Sequence, residues 1–168
     1  MTVHTEYRTI GRDELDAAYR LERSCYPADA AATREAFRHR LRSYPDYFWS
    51  AWAEGRLVGI ANGVLTNAEH CGDEAMKGTH DDSVNGRNLC VLTVAVEPDF
   101  RRHGIGSSLM QRLLAAAERD GLEKVILMCE PYLIPFYALL GFRHLGRSSS
   151  AHAGMEWHEM RLDFTSRC

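Results

Sequence analysis

The stretch from Asn88 to Cys129 restricts the possible folds more than any other part of the chain. Asn88-Leu89-Cys90-Val91-Leu92-Thr93-Val94-Ala95-Val96 is nearly continuous in apolar residues, the pattern of a central strand buried on both faces. From Gly104 to Asp120 the period becomes helical, with Ile105, Leu109, Leu113 and Ala117 in one stripe and Met110 and Leu114 beside it. Gly121 is placed to end that helix, and Lys124-Val125-Ile126-Leu127-Met128-Cys129 follows as a second buried strand. Strand, helix and strand in this order bring the two strands together in parallel, through a right-handed crossover.

The flanking segments complete a mixed α/β sheet. Helical spacing predicts helices over 13–23 and 33–42. Tyr47 to Ala53 and Leu57 to Leu65 are apolar runs around Glu54-Gly55-Arg56, which signals a hairpin. Downstream, a short helix is expected from Ile134 to Leu140, with strands at 142–146 and 155–163. Residues 66–87 hold Glu69, Asp73, Glu74, Asp81 and Asp82 with little periodicity and read as a long loop.

No linker or repeat divides the chain, so residues 1–168 read as one domain, and at this length folding buries roughly 70% of the unfolded surface. A net charge of −3 without a dense basic block points away from nucleic acid. The polar N-terminus and the lack of any apolar run near ~20 residues point away from secretion and from the membrane. Cys25, Cys71, Cys90, Cys129 and Cys168 are an odd set without C-x-x-C spacing, and several lie in apolar runs. The expectation is unpaired core thiols in a reducing cytoplasm. His70, Cys71 and His80 have no paired ligand spacing, so no metal is expected.

The chemistry concentrates in Arg101-Arg102-His103-Gly104-Ile105-Gly106-Ser107, between the buried strand and the helix. Amides that open a helix lack intrahelical partners and carry partial positive charge, which makes an anion site. Glycine at 104 and 106 lets a pyrophosphate approach the main chain, and Arg101, Arg102 and His103 add charge-assisted contacts. Residue 109 is Leu, which excludes a G-x-G-x-x-G dinucleotide turn, and the P-loop Gly-Lys-Ser/Thr is missing.

This segment, read from Glu97 to Gly106, resembles the coenzyme A pyrophosphate motif of the GCN5-related N-acetyltransferases (GNAT). Pro135-Phe136-Tyr137-Ala138-Leu139-Leu140-Gly141-Phe142 resembles that family's aromatic and Gly-Phe segment. Leu21-Glu22-Arg23, Tyr26-Pro27, Glu54-Gly55-Arg56-Leu57-Val58, Leu127-Met128-Cys129-Glu130 and Trp157-His158-Glu159-Met160 are similar to the arylalkylamine (serotonin) branch. The resemblance spans about residues 7–162 and aligns poorly at 66–87. It implies a mixed sheet of about six to seven strands whose parallel central strands splay at the coenzyme site, with flanking helices.

The same resemblance implies acetyl transfer from acetyl-CoA to a small primary amine, by direct attack in a ternary complex, in a monomer or homodimer. Polyamines or other aliphatic amines are the alternative substrates, and a coenzyme-binding module with reduced catalysis is the alternative class. Val94, Ala95, Val96, Arg101, Arg102, His103, Gly104, Ile105, Gly106 and Ser107 are the implied coenzyme contacts, with a main-chain N–H near Val94 facing the carbonyl oxygen. Tyr137 is the candidate proton donor to the leaving sulfur, since a phenol of pKa ~10 is protonated at neutral pH. Tyr26, Pro27 and Trp157 are candidate amine-pocket residues.

The proton acceptor does not carry over. The vertebrate enzymes have a His-x-His pair on the central strand, and those positions here are Cys90 and Leu92. Glu130, at the carboxyl end of strand 124–129, is the candidate base, directly or through water; it serves equally well as an acceptor for nearby backbone N–H groups. His70, His80 and His152 are the other groups that titrate near neutral pH.

Overall fold

The computed structural model describes residues 4–71, 86–150 and 152–164. In chain order the elements are β1 (Glu6–Thr9), α1 (Leu15–Cys25), α2 (Arg34–Ser43), β2 (Phe48–Ala53), β3 (Arg56–Thr66), β4 (Asn88–Val96), α3 (Ile105–Arg119), β5 (Lys124–Cys129), α4 (Ile134–Leu139), β6 (Arg143–Arg147) and β7 (His158–Asp163). They build a seven-stranded sheet in the order β1-β2-β3-β4-β5-β7-β6. Among the described residues only β4 and β5 pair in parallel, the arrangement expected from the strand-helix-strand pattern. The predicted hairpin is β2–β3, with Glu54 and Gly55 both at positive φ in its turn. Thr33 caps α2 by accepting from the Ala36 N–H at 3.1 Å.

Helices cover both faces of the sheet. Ile60 packs in a cluster with Ala18, Leu21, Phe37, Phe48 and Ala95 beneath α1 and α2. Its neighbour Ala61 belongs to a second cluster with Leu109, Met110 and Leu113 of α3, as alternation along a strand requires. Each large side chain fully buried in this way contributes about 1.5–3 kcal/mol.

Two features escaped the sequence pattern. Strand β1 is short, polar and mostly exposed, and it exists because its backbone pairs with the edge of β2. Cys71 and Cys90 form a disulfide, with Cα atoms 6.2 Å apart, so the expectation of unpaired thiols fails for this pair. Cys25 and Cys129 are free, and Cys168 lies outside the described residues, as do His80 and most of the acidic loop. Among the described residues no helix is long and apolar enough to cross a membrane.

The sheet is prepared for a ligand by one irregularity. Asn62 pairs with Thr93 but Gly63 pairs with Val91, which leaves Leu92 as an extra residue in β4. A Cβ at Gly63 would collide with the Cys90 carbonyl, so the close approach at this bulge requires glycine. Beyond the bulge β4 leaves β5: their pairing ends at Val91 and Leu127, while β4 continues to Val96 and β5 to Cys129. The strands open like a wedge.

Candidate active site

A cavity of about 820 Å³ fills that wedge. Its first wall is the unpaired part of β4. The Val94 carbonyl accepts from the Tyr26 hydroxyl at 2.8 Å, and the Val96 carbonyl accepts from Arg101 Nε at 3.0 Å. Both carbonyls thus point away from β3. In an extended strand the N–H of each residue points the same way as its C=O, so the Val94 and Val96 N–H groups also face the cavity.

At one end lies the start of α3. Gly104 is its N-cap with φ 77°, a left-handed conformation that glycine adopts without penalty, and among the described residues no side-chain cap bonds the amides that follow. Open space surrounds the Gly104 Cα. Bare amides, an open approach and the flanking Arg101 and Arg102 fit the diphosphate of coenzyme A. Val94, Ala95, Val96, Arg101, Arg102, Gly104, Ile105, Gly106 and Ser107 all line the cavity. His103 is exposed and is not on the wall.

Tyr137 projects from α4 into the same cavity and is buried, its ring edge-on to Phe136 at 4.9 Å and Phe142 at 5.8 Å. Burial, with smaller contributions from Cys129 and Tyr132, raises its pKa above the ordinary phenol value, so it carries its proton at neutral pH. Burial, with Glu130 adding to it, pushes the Cys129 thiol up to about 11. That side chain faces the cavity as a neutral thiol and is a poor nucleophile.

Tyr26, Trp157 and His152 also line the cavity. Trp157 Nε1 donates to the His152 carbonyl at 2.9 Å. Pro27 is not on the wall; its carbonyl takes the Ala30 and Ala31 N–H groups in the turn after α1. Leu92 lines the cavity, Cys90 is buried in the disulfide, and His70 pairs with Glu159 at 2.6 Å on the surface. Glu130 lines the cavity beside the Tyr132 hydroxyl, which bonds to it and lies in the field of Arg101.

Two wall residues went unnoticed as site residues. Glu22 of α1 and Arg40 of α2 line the cavity at 3% and 2% exposure. Arg40 Nη1 donates to Asn62 Oδ1 at 2.9 Å and to Thr93 Oγ1 at 3.3 Å, while Glu22 Oε2 accepts the Ala32 N–H at 2.9 Å. Burial lowers the Arg40 pKa to about 10, against the opposing pull of Glu22. The signal was present: both charges fall on the inward stripe of their helices, beside Ala18 and Leu21 and beside Ala36 and Phe37.

A splayed parallel pair, an uncapped helix start opposite a strand with inward amides, and a buried phenol between them define an acyl-coenzyme-binding transferase fold. The sequence matches the Acetyltransferase (GNAT) family over residues 15–142. The chain belongs to that family and is an N-acetyltransferase. A serotonin N-acetyltransferase of Mesocricetus auratus is 27% identical over 168 residues, covering 98% of this chain and 79% of the relative. The loading GNATL domain of CurA from Lyngbya majuscula superimposes with a TM-score of 0.80 at 14% identity, over 98% of this chain and all of that one. PaiA N-acetyltransferase from Thermoplasma acidophilum, solved with coenzyme A, gives 0.66 at 15% identity over 96% and 99% of the two chains.

Proposed function

We propose that residues 1–168 form one catalytic unit that transfers acetyl from acetyl-CoA to the primary amine of a small molecule, with arylalkylamines as the favoured class. One observation carries the reading. The start of α3, Tyr137, the inward edge of β4, Tyr26 and Trp157 all line one cavity. The thioester supplies an activated acetyl group when bound, and the protein's work is to hold, orient and move protons.

Amides at 104–107 with Arg101 and Arg102 hold the diphosphate, and the open edge of β4 aligns the arm that carries the thioester. The Val94 N–H is the donor available to the carbonyl oxygen. Holding two reactants together in this way is worth about 7–11 kcal/mol of barrier. Tyr137 donates its hydroxyl proton to the departing sulfur. A neutral Cys129 offers no covalent relay, which favours direct attack by the amine. The proton acceptor is one of the two carboxylates in the described wall, Glu130 or Glu22.

A second reading, aliphatic amines or polyamines, is favoured by the charged pair Glu22 and Arg40 in a wall that an aromatic substrate alone would not require. Incubation with acetyl-CoA and a panel of aryl, alkyl and polyamine acceptors, following free thiol, tests both. Thiol release with phenylethylamine well above that with spermidine supports the first; the reverse order supports the second; no release with any amine refutes acetyl transfer to small amines.

A further inference from the structure

We propose that Glu22 is the carboxylate that binds the acceptor's ammonium group and takes its proton. This rests on the acetyltransferase reading above and replaces what Cys90 and Leu92 lack.

The position is the first reason. Tyr26 is the extended residue that ends α1, its N–H donating to the Glu22 carbonyl at 3.0 Å, and its hydroxyl sits on the Val94 carbonyl at 2.8 Å. The Tyr26 phenol feels the charge of Glu22 and, more weakly, of Tyr137. A carboxylate and a phenol therefore bracket the strand edge where the thioester lies. Glu130, by contrast, is engaged with Tyr132 near Arg101.

Preorganisation is the second. The Ala32 N–H fixes one carboxylate oxygen, and the buried guanidinium of Arg40 lies within electrostatic reach of that carboxylate. The charged and titratable groups within electrostatic reach of Glu22 are Tyr26, just past the end of α1, and Arg40 of α2. The elements β3 and β4 contribute the neutral Asn62 and Thr93 around that guanidinium.

The step balances as follows. The ammonium gives one proton to Glu22, which frees the nitrogen lone pair. That pair forms the C–N bond to the acetyl carbon, the C–S bond breaks with its electrons going to sulfur, and sulfur takes a proton from Tyr137. The surplus proton on nitrogen replaces the one Tyr137 gave, and Glu22 releases its own to solvent.

The test compares wild type with Glu22→Gln across pH on two amines. Phenylethylamine is an alkylammonium of pKa ~10, so only ~10⁻³ of it is neutral at pH 7. Trifluoroethylamine is already uncharged there. With phenylethylamine, wild-type kcat/KM is level through neutral pH and falls only where a carboxylate protonates. Glu22→Gln is lowered by ~10²–10³-fold at pH 7 and regains tenfold per pH unit up to the amine's own titration. With trifluoroethylamine the loss shrinks to a few-fold.

A readout without turnover is calorimetry of phenylethylamine added to CoA-saturated protein. Glu22→Gln weakens that binding by about 10–100-fold, the worth of a hydrogen bond to a charged group, and leaves the heat of CoA binding unchanged. Should Glu22→Gln fail to fold, Glu22→Asp keeps the charge opposite Arg40 and carries the comparison, with a smaller loss again confined to the basic amine. A level profile in Glu22→Gln, or equal losses on both amines, overturns the assignment while the acetyltransferase reading stands. Wild-type protein that acetylates no amine overturns both.

Discussion

Arg40 and Glu22 are buried charges on two different helices, and replacing them singly and together shows what they contribute. Arg40→Met leaves Glu22 in the cavity wall without its counter-charge and removes the donor to Asn62 Oδ1 and Thr93 Oγ1. Removing one member of a buried pair costs about 3–5 kcal/mol. For a chain of this size each kcal/mol lowers Tm by about 2–4 °C, so the shift is on the order of 10 °C. Glu22→Gln instead removes the negative charge near the guanidinium, which keeps its bonds to Asn62 and Thr93, and retains an acceptor for the Ala32 N–H; its cost is about 3 kcal/mol.

The double variant contains no unpaired charge, so its cost stays near that of one substitution. The interaction energy is therefore at least ~2 kcal/mol. The sign with pH follows from Arg40 itself. Its folded pKa of about 10 lies below the ordinary guanidinium value, so the unfolded chain binds more protons between the two and stability rises with pH across that window. Below it, burial of this charge is a net cost, which suits a pair kept for the site rather than for stability. Urea unfolding of the four proteins supplies the cycle. Additive costs, with the double variant as unstable as both losses combined, would falsify the idea that the two charges act as a unit.

Other perturbations address the rest of the site. Tyr137→Phe keeps the ring packing on Phe136 and Phe142 and is expected to lower kcat by about 10²-fold with unchanged heat of CoA binding; an unaltered kcat removes the hydroxyl from the reaction. Gly104→Ala meets no atom but must hold φ near 77°, costing about 1–2 kcal/mol, so weaker CoA binding or a lower Tm is expected and no change in either contradicts the role given to that turn. Cys71→Ser combined with Cys90→Ser opens a 19-residue loop and lowers stability by about 3 kcal/mol, or Tm by about 6–12 °C; a thermal scan that matches wild type counts against the disulfide.

Much of the fold and the coenzyme end of the site was legible in the chain alone, because both are encoded locally. The apolar run Asn88–Val96, the helical stripe from Ile105 to Ala117 and the run Lys124–Cys129 each express their period within a dozen or so residues. The two glycines at 104 and 106 follow one another directly after a pair of arginines, so a phosphate-sized opening at a helix start could be read without knowing what lies across from it.

The acceptor end depended on the assembled molecule. Cys71 and Cys90 meet only because β3 and β4 are adjacent, and β1 is a strand only because β2 offers an edge. Glu22 and Arg40 come together with Asn62 and Thr93 from four separate elements, and no spacing along the chain encodes that meeting. Glu130 follows the end of β5, as the strand pattern indicates, yet its bond with Tyr132 needed the folded chain to appear. Local period and turn chemistry are short-range and survive in the sequence, whereas the balance of buried charge arises from long-range packing and exists only once the sheet has closed around it.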